Sequence, residues 1–151
     1  MTTSTLAPEQ VIEQISASIQ PKQDKRIIKS MKAGQMVRQG DIYLINVTGL
    51  KQTKVFQNVE VKFDGFITKL ANDKNGHQLV PGSTMGSRHI VDNTVSVHVN
   101  PTNPSSLVGP LITAKDAFTV SHPEHAHFEL PAGDYLVCYQ LNAKTQQRVK
   151  D

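Results

Sequence analysis

The sequence predicts a mainly β domain, a single antiparallel sandwich or barrel, preceded by a helical extension. Two observations support this prediction. From Gln39 onward, short apolar segments with alternating side chains follow one another, with turn-forming residues roughly every eight to twelve positions. Before Gln39, apolar residues recur at helical spacing instead. We therefore place the helical extension at residues 1–34 and the β domain at residues 35–151.

The composition predicts one ordinary domain. A chain of 151 residues buries about 70% of the surface that its unfolded form exposes. The single cysteine, Cys138, cannot form an internal disulfide, and its apolar surroundings predict a small buried hydrophobe and not a reactive thiol. No apolar run is long enough for a membrane span, and no signal sequence is evident at the N-terminus, so we expect a cytoplasmic protein.

The helical extension is predicted as two helices. The first begins near Pro8 and places Val11, Ile12, Ile15 and Ile19 on one face. The second runs from Pro21 to a glycine cap at Gly34. Its basic residues fall at helical spacing and form a ridge of Lys22, Lys25, Arg26, Lys29 and Lys32. This ridge suits a solvated surface, contact with an anionic partner or nucleic-acid phosphates, or a membrane surface, although no aromatic residue is present to stack on a base.

The β domain is predicted to be organised around the segment that follows the turn Leu130-Pro131-Ala132-Gly133. Proline presets the backbone of such a turn, and Gly133 can adopt the positive φ that closes it. After the turn, Tyr135, Val137 and Tyr139 alternate with Leu136 and Cys138, so both faces are apolar and the strand is predicted to be central. Further strands are predicted at residues 42–47, 55–63, 66–70, 95–99, 107–112 and 117–120, with an Asp64-Gly65 hairpin turn.

Four histidines form the candidate site: His89, His122, His125 and His127. Both histidine-bearing segments adjoin strands that can bring them to a common mouth, which favours a jelly-roll or cupin-like version of the fold. Neutral imidazole is a common ligand for zinc, iron, manganese or nickel, and Arg88 or Glu124 could orient a ring nitrogen. The alternatives are that these side chains cap turns in a polar loop, or that they perform acid-base chemistry without metal.

Three motifs resemble a group of small, functionally uncharacterised β-rich proteins of bacteria and phages. They are Gln39-Gly40-Asp41, the segment Gly86 to Val91, and the segment His122 to Val137, which joins His-Pro-Glu-His to Leu-Pro-x-Gly-x-Tyr-x-Val. The resemblance covers residues 39–140 and implies no established activity. In this group the middle motif is often Gly-His-x-His; this chain keeps His89 and carries Ser87 at the other histidine position.

Two functions of different classes follow from these observations. The first is a non-enzymatic β-sandwich or barrel module that binds a partner or assembles with itself. The second is a cupin-type metal-binding protein or metal-dependent enzyme that acts on a small molecule. Nucleophilic catalysis has little support, because Ser121-His122 is only an adjacency and no Gly-x-Ser-x-Gly elbow is present. Phosphate-loop and dinucleotide signatures are absent as well.

Overall fold

A computed structural model describes residues 24–55, 58–80, 89–102, 105–142 and 147–148. The strands in this part of the chain are β1 (Lys25–Ile27), β2 (Met36–Gln39), β3 (Ile42–Asn46), β4 (Gln52–Val55), β5 (Val59–Lys62), β6 (Thr68–Lys69), β7 (His77–Gln78), β8 (Ile90–Val91), β9 (Ser96–Val99), β10 (Val108–Ala114), β11 (Phe118–Ser121), β12 (His127–Leu130), β13 (Gly133–Tyr139), β14 (Leu141–Asn142) and β15 (Gln147–Arg148). A short 3-10 helix spans Phe63–Gly65. The prediction of a mainly β chain is confirmed, and no helix within the described ranges is long and apolar enough to span a membrane.

Two larger sheets make up the body. The six-stranded sheet has the order β2-β3-β13-β10-β9-β6, and the five-stranded sheet has the order β1-β12-β11-β8-β7. Both are antiparallel except for the parallel pair β1–β12. Closing a barrel requires the two end strands of a sheet to pair, and across the described residues each sheet keeps two open ends. The described residues therefore form open sheets and no closed barrel.

The main core lies between these two sheets. Its buried cluster takes Leu44 and Val137 from the six-stranded sheet, and Val120 and Leu130 from the five-stranded sheet. A second cluster covers the outer face of the six-stranded sheet, where the β4–β5 hairpin and the 3-10 helix pack against it. The six-stranded sheet is thus buried on both faces, whereas the five-stranded sheet contributes only to the main core.

Strand β13 is central, as its sequence predicts. It pairs with β3 on one side and β10 on the other. Tyr135, Val137 and Tyr139 enter the main core, and Leu136 and Cys138 enter the second cluster. The alternation along the sequence therefore assigned each side chain to the correct face.

The turn before β13 is a tyrosine corner of the kind found in β-sandwiches. The Tyr135 hydroxyl donates a 2.8 Å hydrogen bond to the Pro131 carbonyl, four residues upstream. Gly133 has φ +151°, and a Cβ there would lie 2.6 Å from Thr48 Oγ1. The predicted need for glycine is confirmed, and it has a second cause in the close approach of Thr48.

The segment from Val55 to Gly65 differs from the prediction in two ways. Residues 55–63 do not form one strand, because Val55 ends β4 and Val59 begins β5 of the same hairpin. The Asp64-Gly65 pair is part of the 3-10 helix and not a hairpin turn. Asn58 adopts a positive φ of 58°, which asparagine tolerates better than most residues, and this conformation lies directly before β5.

The predicted second helix is wrong over its described part. Lys25–Ile27 form a strand parallel to β12, with His127 N donating to Asp24 O and Ile28 N donating to Glu129 O. Ile28 and Met31 pack against the main core, and these tertiary contacts outweigh the helical spacing that the same residues satisfy. The contacts cross the predicted boundary between residues 34 and 35. The predicted first helix lies outside the described residues.

Candidate functional site

The site is built on the tight turn that joins β2 to β3. Gln39 pairs with Ile42, so the hairpin loop has only two residues, Gly40 and Asp41. Gly40 has φ +57° at the first loop position, as a type II′ hairpin turn requires. This turn brings the side chains of Gln39 and Asp41, which lie on either side of Gly40, into the interior at one end of the core.

The outer side of the turn is held to the end of β13. Arg38 donates from Nε to the Gly40 carbonyl at 2.7 Å and from Nη2 to Gln140 Oε1 at 2.9 Å. The backbone N–H of Gln140 donates in turn to the backbone carbonyl of Asp41 at 2.9 Å. Because the turn backbone is fixed from outside, its two inward side chains are presented in one geometry.

His89 lies between these two side chains. Its Nδ1 is 2.8 Å from Gln39 Oε1, and its Nε2 is 2.7 Å from Asp41 Oδ1. Gln39, Asp41 and His89 are each at most 1% exposed. Gln39 also donates from Nε2 to the carbonyls of Val120 and Ala126, at 3.0 and 2.9 Å. We call Gln39, Asp41 and His89 the buried triad; it joins the β2–β3 turn to the five-stranded sheet.

The hydrogen bonds define where the protons lie. Two backbone carbonyls can only accept, so the Gln39 amide nitrogen must face them and its oxygen must face His89. His89 therefore carries a proton on Nδ1 and donates it to Gln39. Between Nε2 and Asp41 Oδ1 there is one further proton, so the pair is either imidazolium with carboxylate or neutral with neutral. In both forms the pair has no net charge, so its complete burial avoids the large free-energy cost of burying an isolated charge.

His122 and His125 extend this arrangement toward the surface. The His122 ring lies 4.4 Å from the His89 ring and 4.4 Å from the His125 ring, measured between centroids. His122 Nδ1 accepts from the backbone amides of Glu124, at 2.9 Å, and His125, at 3.3 Å. His122 thus acts as a turn cap, which is one of the alternatives that the sequence left open.

The fourth predicted site residue lies elsewhere. Along β12, Phe128 and Leu130 are buried while His127 and Glu129 are half-buried, so His127 belongs to the outer face of the five-stranded sheet. Three of the four histidines therefore lie together. His127 does not join them, because alternate side chains of β12 face opposite sides of the sheet and His127 is on the outer side. Among the described residues, no group of three or more His, Cys, Asp or Glu is arranged to hold a metal ion.

Both ring nitrogens of His89 bond to protein atoms, which is the physical difficulty for a metal site that includes it. A metal ligand needs a lone pair directed at the ion, and Nδ1 donates its proton to Gln39 while Nε2 is bonded to Asp41. A metal site at His122, His125 and His127 stays a prediction, and it would have to form without His89.

Gln39 and Asp41 are the site residues that the sequence reasoning missed. They belong to the Gln39-Gly40-Asp41 motif, which by itself predicts no role in the site. The available signal was a glutamine and an aspartate around a glycine between two apolar strands, where buried polar side chains need hydrogen-bond partners. Nothing in the sequence indicates that the partner is His89, forty-eight residues beyond Asp41.

Cys138 is not a functional thiol in this structure. It is fully buried on β13, and burial raises its pKa to about 12. The prediction of a small buried hydrophobe is confirmed, because almost no thiolate forms at neutral pH.

The predicted basic ridge is not helical where it is described. Lys25 and Arg26 lie on β1, Lys29 and Lys32 follow it, and all four are exposed. Lys25 Nζ is 3.1 Å from Glu129 Oε1, and the Arg26 guanidinium lies 5.9 Å from the centre of the Phe128 ring. Lys22 lies outside the described residues.

One comparison with known proteins identifies a family. A family model described as a domain of unknown function (DUF8820) matches residues 38–140. The chain belongs to this family. The matched range contains the whole buried triad and the tyrosine corner, whereas β1 precedes it. No curated protein and no solved structure gives a significant match.

Proposed function

We propose that this DUF8820 chain is a non-enzymatic binding or assembly module. The proposal is supported by where its polar chemistry lies. The buried triad is solvent-excluded, and both ring nitrogens of His89 bond to neighbouring side chains of the fold. These groups stabilise the junction between the two sheets, and a substrate would have to disrupt that junction to reach them.

The single observation that carries the proposal is the open end of the six-stranded sheet at β6. Strand β6 pairs only with β9 within the described chain, so its other side presents backbone groups that no other described strand pairs with. Ile67 and Leu70 flank β6 and are 76% and 40% exposed. A free strand edge with apolar side chains on both flanks favours association with another strand, and we propose that a second copy of this chain provides it.

Analytical ultracentrifugation over a range of concentrations tests this proposal. We expect the unmodified protein to self-associate and Ile67→Lys to weaken that association about tenfold, through lost apolar contact and like charges at the edge. Leu50→Lys is the matched control, because Leu50 is 40% exposed but lies in the loop between β3 and β4. A protein that stays monomeric at all concentrations would contradict assembly through β6.

Two further predictions stand beside this proposal. The first is a cytoplasmic location, for which the support is the single buried cysteine and the absence of any disulfide requirement. The second is the alternative function, a cupin-type metal-binding protein or metal-dependent enzyme. Its support is limited to the ring contact between His122 and His125, and metal analysis tests it directly.

A further inference from the structure

Strand β1 is the end strand of the five-stranded sheet within the described residues. Successive residues of a strand direct their backbone groups to opposite sides. Asp24 and Ile28 bond to β12, so Lys25 and Ile27 direct their N–H and C=O groups away from it. The Ile27 side chain is 59% exposed. No described strand pairs with this side of β1, so within the described residues the edge is a template for one further strand.

The charge around this edge determines which kind of strand it accepts. Residues 24–32 carry four basic side chains, Lys25, Arg26, Lys29 and Lys32, against one acid, Asp24, and Lys25 is paired with Glu129 of β12. A second copy of β1 would bring these cations against their equivalents, so edge-to-edge pairing of two copies is disfavoured here. An acidic segment would meet complementary charge instead.

The nearby aromatic ring argues against nucleic acid as the partner. Single-stranded nucleic acid is held by aromatic side chains on which bases stack, in addition to cations. The ring beside β1 belongs to Phe128, which is buried in the main core beneath Arg26. The described part of this edge thus offers cations and backbone groups, but no exposed stacking platform.

We propose that the β1 edge binds an extended acidic segment of another protein, which adds to the five-stranded sheet as a strand. The backbone groups of Lys25 and Ile27 supply the hydrogen bonds, and Lys29 and Lys32 supply charge selectivity. This inference rests on the proposed binding role and names a partner class for it. It is independent of β6, which lies in the other sheet.

Fluorescence polarisation with the full chain tests the inference. The probes are a labelled peptide that alternates glutamate and valine, the equivalent lysine–valine peptide, and labelled oligothymidylate. We expect saturable binding of the acidic peptide alone, with salt weakening it. The double variant Lys29→Glu/Lys32→Glu should bind about tenfold more weakly, whereas Lys74→Glu/Lys115→Glu, with the same charge change at exposed positions elsewhere, should bind normally.

A backbone variant separates strand addition from simple charge attraction. Ile27→Pro removes one N–H that points away from the sheet, and an edge strand tolerates proline where its N–H would point outward. We expect this variant to lose peptide binding without a lower urea midpoint of unfolding. If it destabilises the protein, protection of the Lys25 and Ile27 amides from hydrogen exchange in the unmodified complex replaces it.

Three results would overturn the inference. The first is no saturable binding of the acidic peptide, and the second is preferential binding of oligothymidylate. The third is peptide binding that Ile27→Pro does not weaken and that does not protect the Lys25 and Ile27 amides from hydrogen exchange. None of them bears on self-association through β6, so failure here and failure of the proposed assembly are distinguishable.

Discussion

The hydrogen-bond assignment in the buried triad is tested by two substitutions that exchange one atom each. Gln39→Glu replaces the amide nitrogen by an oxygen, so the carbonyls of Val120 and Ala126 lose their donor and face a carboxylate. Each buried acceptor left without a partner costs about 1–3 kcal/mol, so we expect Gln39→Glu to lower the free energy of unfolding by about 2–6 kcal/mol.

Asp41→Asn is the matched change on the other side of His89. The new amide can donate to Nε2 of a neutral His89, whose Nδ1 proton still goes to Gln39. Its oxygen takes the place of Asp41 Oδ2, which is buried without a hydrogen-bond partner among the described residues. The site loses the charge assistance of one hydrogen bond and adds a second buried amide N–H, which costs about 1–3 kcal/mol when it finds no acceptor, so we expect a smaller cost than that of Gln39→Glu, where two acceptors lose their donor.

Urea unfolding followed by circular dichroism measures both costs, provided that the m-value is unchanged. The ¹⁵N spectrum of His89 is the control, and it should show a proton on Nδ1 in the unmodified protein and in Asp41→Asn. Equal costs for the two variants, or a harmless Gln39→Glu, would refute the assignment of donors and acceptors.

Three further outcomes are expected. Burial raises the pKa of Tyr135 to about 12, so its protonated form stabilises the fold below pH 10 and this contribution is lost as the pH rises through 12. Absorbance at 295 nm should show Tyr135 ionising only in that range. Ionisation of Tyr135 near its usual pKa would contradict the burial. Cys138, whose pKa burial raises to about 12, should not react with Ellman's reagent at pH 8 until urea unfolds the protein, and rapid reaction of the native state would show that β13 is accessible. Chelator treatment should leave the unfolding midpoint unchanged, because the buried triad is held by hydrogen bonds to protein atoms and no described group of side chains is arranged to hold a metal ion. Stoichiometric metal that is lost in the His125→Ala/His127→Ala double variant would instead establish the metal-binding alternative.

The strands that the sequence predicted well are those that carry their own pattern. In β13, strict alternation between two apolar faces was enough to predict a central strand and the face of each residue. The Leu130-Pro131-Ala132-Gly133 turn was predictable for the same reason, because proline and glycine restrict the backbone locally. What the pattern did not contain was the close approach of Thr48 to Gly133, which brings together residues far apart in the chain.

The segment of residues 24–34 shows where local pattern failed. Its apolar and basic residues fall at helical spacing, yet Lys25–Ile27 pair with β12, about a hundred residues later in the chain. Helical spacing describes only neighbours in sequence, and the hydrogen bonds of a parallel edge strand come from another segment entirely. The pairing partner decided the conformation of this segment.

The sequence by itself determined the β class, the central strand, the turn that enters it and the burial of Cys138, because each depends on side chains within a few residues of one another. Only the tertiary structure decided the candidate site. It brought His89 between Gln39 and Asp41, placed His122 beside His89 and His125 beside His122, and left His127 on the outer face of β12. Sheet order and register are set by packing between distant strands, and a histidine becomes a buried hydrogen-bonding partner or an exposed side chain according to the face on which that packing leaves it.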